Sequence, residues 1–278
     1  MKNKYCKNQI NTSLIALALV TGTAFAGEEV KPAPMAPAPV EDVVSGVLSL
    51  NVNSHFISYG NDVWKDGSSM SDPGFNPSLE YTFKLPAEGC SLILGTWWDV
   101  NSKGAPSIGG DIQEIDVWAG FGYSIDKFSI TTTYQAWNYA KQTEQILDVK
   151  LAYDTFLSPY LLFHNRLDIN TANTGGSDGS VVVLGLSHSI EAGPVSISFP
   201  VNFATMLGEN YYAAGADSGY AYTSIGIQAS YPLAFMGEAY GDWTLNGGFT
   251  QYWTNGTVIP GNPTNNFLTY NVGVSAAF

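Results

Sequence analysis

Charged side chains recur at even spacings along several stretches of the sequence. Glu114 and Asp116 are two residues apart, and Asp148 and Lys150 repeat that spacing. A spacing of two places side chains on one face of a β-strand, where acid–base pairs can bridge neighbouring strands. Seven residues of this set are acidic and three are basic, which predicts a net negative surface that favours cations. The set consists of Glu80, Lys84, Asp99, Glu114, Asp116, Glu144, Asp148, Lys150, Arg166 and Asp168.

Three tryptophans share the register of these charges. Trp97, Trp118 and Trp137 lie on three successive predicted strands, with Gly95 and Gly120 beside them. Flat aromatic rings next to carboxylates suit the faces of sugars and organic cations. The alternative is that the rings fill the space above the glycines. The sequence leaves both a solute track and simple packing open.

Histidine is the residue that could support acid–base chemistry, and the chain has three of them. His164 lies two residues before Arg166 and four before Asp168, a spacing that predicts a polar network on one strand face. Nucleophilic catalysis needs a nucleophile beside the base, and no serine lies next to His188 on its strand face. No group of His and Cys has the spacing of zinc ligands. We therefore expect no enzyme activity, no metal and no cofactor.

Composition excludes several classes of protein. Of the 278 residues, only 13% are charged, while 13% are aromatic and 29 are glycine. The formal net charge of −13 argues against nucleic acid as a partner. Beyond the N-terminus, no run approaches the roughly 18 apolar residues of a membrane-spanning helix, which excludes a helical membrane protein. Short alternating runs rich in Tyr, Thr and Ser instead predict an all-β chain.

Two segments precede the β-domain. Residues 1–26 combine a lysine-rich start, an apolar run at 13–20 and the small-residue site Ala24-Phe25-Ala26, which is typical of a cleaved signal peptide. Residues 27–42 are rich in proline and alanine and predict an extended periplasmic tether. Residues 43–278 form one predicted domain. Cys90 is its sole cysteine, so we expect no internal disulfide.

The last segment shows the pattern of the whole domain. Leu268, Tyr270, Val272 and Phe278 occupy one register, while polar or small residues occupy the other. A tilted strand of this length crosses a bilayer, although a secreted sandwich gives the same alternation. A terminal Phe in the apolar register resembles the terminal signature of Gram-negative outer-membrane barrels, which implies recognition by the barrel assembly machinery. Twelve such runs lie at 46–58, 76–84, 90–100, 112–124, 127–138, 143–154, 159–169, 180–189, 194–204, 221–231, 241–253 and 267–278.

Loop lengths and aromatic positions indicate a barrel in a membrane. Connections on one side are mostly short, such as 85–89 and 125–126, and those on the other are mostly long, such as 59–75 and 205–220. The apolar register carries aromatic residues near both strand ends and aliphatic residues between them, as at two membrane interfaces. The predicted fold is therefore a transmembrane antiparallel up-and-down β-barrel of about twelve strands with a polar lumen.

The third to fifth runs carry a family resemblance. Residues 94–97 read Leu-Gly-Thr-Trp, and residues 114–123 read Glu-Ile-Asp-Val-Trp-Ala-Gly-Phe-Gly-Tyr. This region resembles the TorF-like family of outer-membrane proteins over roughly a third of the chain. The resemblance implies a small barrel with a channel-like role, and it brings no catalytic residues.

The expected function is that of a porin-like channel in the bacterial outer membrane, for passive diffusion of small hydrophilic solutes with a preference for cations or sugars. Its other expected partners are outer-membrane lipid and, through Phe278, the assembly machinery. Two alternatives stay open: a plugged structural or adhesin-type barrel that presents its outer loops, and, less favoured, an outer-membrane lipid hydrolase. The predicted solute pathway is lined by Glu80, Trp97, Asp99, Glu114, Asp116, Trp118, Trp137, Glu144, Asp148, Lys150, His164, Arg166 and Asp168.

Overall fold

The computed structural model describes residues 43–65, 72–104, 107–169 and 178–278. Within these ranges the chain forms a closed antiparallel β-barrel of twelve strands. The barrel strands are β1 Val44–Asn53, β2 Gly74–Lys84, β3 Cys90–Val100, β4 Ile112–Ile125, β5 Phe128–Asn138, β6 Thr143–Tyr153, β7 Tyr160–Ile169, β8 Gly179–Ala192, β9 Val195–Met206, β10 Gly219–Pro232, β11 Asp242–Thr254 and β12 Asn266–Ala277. The predicted signal peptide and tether lie outside the described residues and stay predictions.

The predicted all-β fold and the number of strands are confirmed. Each strand pairs antiparallel with its neighbours in sequence, and β1 pairs with β12 to close the ring. β3 covers the residues predicted for it, and most other strands differ from their predictions by a few residues at the ends. No helix in the described part of the chain is long and apolar enough to cross a membrane.

Alternating burial along the strands shows which face points into the barrel. In β4, Asp116 is 1% exposed, whereas its neighbour Val117 is 45% exposed and Phe121 is 64% exposed. β10 repeats this alternation, with Ser224 buried and Ile225 exposed. The polar register is thus enclosed and the apolar register faces outward. This is the arrangement expected of a wall that has lipid on its outer side.

The connections are sorted by length, as the sequence predicts. Most of the short ones lie at one end of the barrel and include the turn between β4 and β5, where Asp126 has a φ of 52°; the connection at 233–241 is the long exception at that end. The opposite end carries long connections at 54–73, 101–111, 207–218 and 255–265, together with one short connection at 139–142. We call the end with the long connections the outer end. This sorting places both ends of the described chain at the inner end.

Residues 54–63, the first part of the connection after β1, fold into the lumen. β1 ends at Asn53 rather than at residue 58 as predicted, because the Ser54 hydroxyl accepts a hydrogen bond from the Tyr270 amide at 2.8 Å and the chain turns inward. The strands Ile57–Ser58 and Asn61–Asp62 then form a small hairpin. Its central residues, Tyr59 and Gly60, have φ values of 45° and 85°, which is the requirement of a two-residue type I′ turn. We call residues 56–63 the finger.

Gly46 and Phe278 complete the seam between the first and last strands. The Gly46 amide donates to the Phe278 carbonyl oxygen at 2.6 Å, and the Phe278 amide donates back at 3.0 Å. The Phe278 ring lies over Gly46, where an added Cβ would be 2.6 Å from ring carbon Cε2. Tyr81 packs edge-on against that ring, with the centroids 5.9 Å apart. The last residue of the chain thus covers the point where the barrel closes.

We expect Gly46→Val to displace the Phe278 ring and to destabilise the barrel by about 1–3 kcal/mol, the usual cost of overpacking. The measurement is urea unfolding of the detergent-refolded protein. In a Phe278→Ala background the same substitution should lose most of that cost, because the effects of touching residues are not additive. Equal costs in the two backgrounds would show that the ring does not occupy this space.

Candidate functional site

The outer half of the lumen is a sealed layer of side chains. Every strand contributes at least one buried inward residue to it. The finger adds Phe56, Ile57 and Tyr59, and the connections after β9 and β11 add Tyr211 and Ile259, all of them buried. In strand order, the wall residues of this layer are Asn53, Asn76, Asp99, Glu114, Gln135, Glu144, His164, Val183, Ala204, Tyr222, Tyr252 and Phe267.

The finger crosses the lumen from β1 to the opposite wall. In the ring of twelve strands, β7 lies six positions away from β1. The Tyr59 ring at the tip of the finger packs on the His164 ring of β7, with the centroids 4.1 Å apart. Both side chains are buried. A hairpin that reaches from one wall to the opposite wall closes the lumen at this level.

Two outer connections hold the finger by its backbone. The Tyr212 hydroxyl lies 2.8 Å from the carbonyl oxygens of both Ser58 and Tyr59. The Asn262 side chain accepts from the Asp62 amide at 2.7 Å and donates to the Gly60 carbonyl oxygen at 2.9 Å. Burial, and then the neighbouring Tyr211, raise the pKa of Tyr212 well above its usual value. The Tyr212 hydroxyl therefore keeps its proton and remains a donor.

Contacts at the base of the finger join it to β3. The Phe56 ring packs on the Trp97 ring, with the centroids 4.9 Å apart. Just after the finger, the Trp64 indole donates to Asp99 Oδ2 at 2.7 Å. Asp99 also accepts from Asn76 at 3.0 Å and from Asn101 at 2.9 Å. A carboxylate predicted to line an open lumen is thus fully buried under the first outer connection.

His164 is the centre of a polar network rather than the base of a catalytic set. Its Nδ1 lies 2.7 Å from Asp148 Oδ1, and Gln135 donates to Asp148 Oδ2 at 2.8 Å. The Trp137 indole donates to the side-chain oxygen Oε1 of Gln135 at 2.9 Å, and its ring stacks on the His164 ring with the centroids 5.3 Å apart. This chain of contacts links β5, β6 and β7. It orients the imidazole toward the finger, with no hydroxyl or thiol nucleophile hydrogen-bonded to it in the described residues.

Arg166 joins the wall to the connection after β9. Its Nε lies 3.1 Å from Glu144 Oε2, and its Nη1 donates to the Tyr211 carbonyl oxygen at 2.7 Å. The guanidinium also lies 3.9 Å from the centre of the Tyr211 ring. Both members of the ion pair are buried. The pair therefore neutralises one carboxylate and fixes a loop over the lumen at the same time.

Asp168 falls outside this network. A register shift between β6 and β7 pairs Ile146 with Arg166 but Gln145 with Asp168, so that Leu167 is an extra residue. One inserted residue moves the following side chain to the other face of a strand. Asp168 is exposed at the outer end of β7. The bulge thus takes it out of the inward register that the sequence predicts.

The other predicted lumen charges are divided between the two halves. The outer half holds five carboxylates, which belong to Asp99, Glu114, Asp116, Glu144 and Asp148. Glu80 and Lys150 are half-buried in the inner half. No group of His, Cys, Asp and Glu in the described ranges is arranged to hold a metal ion.

The three predicted tryptophans pack against their surroundings. The Trp118 ring lies over Gly95, and its indole nitrogen donates to Glu80 Oε2 at 2.9 Å. Trp118 and Trp137 are buried, while Trp97 is half-buried beneath Phe56. A solute reaches the buried pair only after neighbouring side chains move. The sequence did not reveal the finger that covers Trp97.

Apart from Glu80 and Lys150, the inner half of the lumen is lined mainly by small uncharged polar residues. Tyr160 and Lys150 are its larger side chains: the Tyr160 hydroxyl donates to Asn202 at 2.7 Å, and Lys150 Nζ lies 4.8 Å from the Tyr160 ring centroid. Along β11, β12, β1 and β2 the same lining continues toward the outer end, and its residues there are half-buried. The small polar residues of the inner half and of this part of the wall include Ser49, Ser78, Ser91, Ser187, Ser198, Gln228, Asn246, Thr250, Thr269, Asn271 and Ser275.

We expect Arg166→Met to destabilise the barrel by about 3–5 kcal/mol, because it leaves the Glu144 carboxylate buried without its cation. Urea unfolding in detergent measures the effect. The double variant Arg166→Met with Glu144→Leu should recover most of the loss, and Lys141→Met, at an exposed lysine, is the matched control. A single variant as stable as the control would contradict the role of the ion pair.

Comparison with known proteins finds similarity in overall architecture. No family model matches the chain, so the resemblance to the TorF-like family stays an expectation. No curated protein matches either.

Among solved structures, the NanC porin is 12% identical over 82% of this chain and 98% of that one, with a TM-score of 0.48. The translocator domain of autotransporter NalP from Neisseria meningitidis is 10% identical over 84% and 87%, with a TM-score of 0.40. The P. putida toluene transporter TodX is 11% identical over 86% and 90%, with a TM-score of 0.38. Similarity this distant transfers no function.

Proposed function

We propose that this protein is a porin-like channel of the bacterial outer membrane for small hydrophilic solutes, and that the conformation described is its closed state. The observation that carries the proposal is the partition of the wall. The outward register is mainly apolar, and the inward register is polar along most of the wall, except for an apolar cluster in the outer half of β6 to β9 that contains Ile146, Leu162, Val181, Val183, Ala204 and Met206. A barrel with this partition separates a polar interior from lipid, which is the first requirement of a channel.

Location in the outer membrane is supported by the outward face and by the ends of the strands. Exposed aromatic residues such as Tyr123, Tyr153 and Tyr231 lie toward the inner end, and Phe203 and Trp253 toward the outer end. Amphipathic rings favour the headgroup level on both sides of a bilayer. The sorted connections agree with this orientation, since outer-membrane barrels have short periplasmic turns and long outer loops.

Cation preference belongs to the outer half of the lumen. Among the buried residues there, five carboxylates face one arginine and two histidines, His55 and His164, so an opened outer half is negatively charged. In the inner half, Glu80 is balanced by Lys150, and Lys84 is exposed at the inner end. The uncharged hydroxyl and amide groups of the inner half suit neutral polar solutes such as sugars. The proposed selectivity filter is therefore the layer that the finger covers.

The sealed layer supports a second candidate, a plugged barrel that presents its outer loops. In that case the contacts between the finger and the walls are permanent, and the lumen serves only as a core. The lipid hydrolase has less support. The His188 ring packs on Phe156 at 4.0 Å and its Nδ1 lies 3.0 Å from the Phe156 carbonyl oxygen, which is a structural contact at the inner rim.

Planar bilayers and liposome swelling separate the two candidates. The proposed channel gives discrete conductance steps after reconstitution, and it speeds the swelling of liposomes in sugar solutions. A correctly folded barrel that gives neither response would overturn the channel and leave the plugged barrel. Hydrolysis of phospholipid by the same preparation would instead favour the enzyme.

We expect the double variant Glu114→Gln with Asp116→Asn to lower the permeability ratio of K⁺ to Cl⁻ in the open channel, by at least roughly twofold at low ionic strength. The substitutions keep side-chain size and remove two of the carboxylates. Reversal potentials in a salt gradient measure the ratio. Asp126→Asn, in an exposed turn at the inner end, is the matched control. An unchanged ratio in the double variant would exclude these carboxylates from the selectivity filter.

A further inference from the structure

We propose that the finger, residues 56–63, is a movable gate that opens the lumen by leaving its socket among β3, β7 and the outer connections. The inference rests on the proposed channel function and deepens it, because it assigns the closed state to one element. The finger is suited to this role by its connectivity, by the contacts that hold it and by the polar groups that it covers.

The finger is a self-contained hairpin. Its two strands pair with each other in a sheet of their own and not with a barrel strand. The Val63 amide donates to the Phe56 carbonyl oxygen at 2.9 Å, which closes the base of the hairpin. Moving it as a unit therefore breaks no hydrogen bond between barrel strands. The wall can keep its closed ladder while the lumen changes.

The contacts that hold the finger come from side chains. Tyr212 and Asn262 bind its backbone at the tip, and the rings of Trp97 and His164 pack against Phe56 and Tyr59. Tyr212 and Asn262 belong to outer connections, not to the wall. A change in either connection thus loosens the finger without altering a strand. This arrangement differs from a plug built into the sheet.

The docked position also has local costs. Tyr59 has a positive φ, which is unfavourable for a bulky residue. Around the tip, His164 Nε2 and the hydroxyls of Tyr211 and Tyr222 are closed to solvent and have no hydrogen-bond partner in the described residues. Buried polar groups without partners destabilise the state that buries them, and departure of the finger would open these groups to water. These costs oppose the burial of Ile57 and Tyr59 in the apolar cluster of the outer half, and they reduce the free-energy difference between the docked and undocked positions.

Departure of the finger would open a route along the outer half of the lumen, lined on one side by the wall carboxylates and on the other by the apolar cluster that packs with Ile57 and Tyr59. The departure uncovers the rings of Trp97 and His164, and the hairpin no longer spans the lumen between β1 and β7. The exposed layer then joins the small polar residues of the inner half. The carboxylates of the outer half would face this route, which connects the gate to the proposed cation preference.

A disulfide tether tests the gate directly. A Cβ built on Gly261 lies 3.2 Å from Asn61 Oδ1, so the pair Asn61→Cys and Gly261→Cys can join the finger to the connection after β11. Cys6 and Cys90 are replaced by serine in all variants. Under oxidising conditions we expect conductance steps to vanish, and after addition of dithiothreitol we expect them to return. Each single-cysteine variant is a matched control and should conduct alike under both conditions.

A second variant acts in the opposite direction. Tyr59→Gly removes the ring that packs on His164 and keeps a residue that accepts positive φ. We expect at least a roughly tenfold rise in the ratio of open to closed time. Far-UV circular dichroism and urea unfolding confirm that the barrel is folded. This variant leaves the wall and its charges unchanged.

The outcomes separate failure of the gate from failure of the channel. If the oxidised double-cysteine variant conducts like its reduced form while mass spectrometry shows the disulfide, the finger is not the gate and the channel stands. An unchanged open time for folded Tyr59→Gly would also overturn the gate. If wild type, Tyr59→Gly and the reduced double-cysteine variant are all folded and silent, the proposed channel function itself is wrong.

Discussion

The structure depends on one constraint: every backbone amide and carbonyl group of a lipid-facing wall needs a hydrogen-bond partner within the protein. A sheet satisfies this only when its first and last strands pair, as β1 and β12 do, with Gly46 and Phe278 completing the seam. With lipid outside, the apolar register must face outward and the polar register can only face inward. The low share of charged residues follows, since half of each strand cannot carry charge.

The same constraint creates a demand that the outer connections meet. Inward-facing carboxylates in a narrow barrel need donors or cations once they are buried. Asp99 receives the Trp64 indole from the first connection, and Glu144 pairs with Arg166, which in turn holds Tyr211 of another connection. Folding the connections inward and satisfying the wall charges are therefore one process. Loss of Arg166 would remove the contact that holds Tyr211, and loss of Trp64 would remove a hydrogen-bond donor from Asp99.

The strands and their faces could be predicted from the sequence because both depend on local alternation. β3 coincides with its predicted run, and inward Asp116 lies beside outward Val117 as expected. The misplaced residues lie where alternation is interrupted: the extra Leu167 turns Asp168 out of the lumen. The sequence did not reveal the finger because its residues continue the alternation of β1. Only contacts with residues distant in sequence show that it lies in the lumen and not in the wall. An aromatic residue followed by Gly60 between two short runs was the available hairpin signal.

The charges that remain on the wall bear on whether the lumen is permanently filled. A barrel that served only as a packed core would be as stable or more stable with apolar residues in place of buried ion pairs. The outer half instead keeps five carboxylates, whose neutralisation depends in part on residues outside the wall. It also accepts a bulky residue at positive φ at the tip of the finger. Both features are unfavourable in a permanent core. Both are expected of a lumen that is hydrated in one of its states, which is the property that the proposed gate requires.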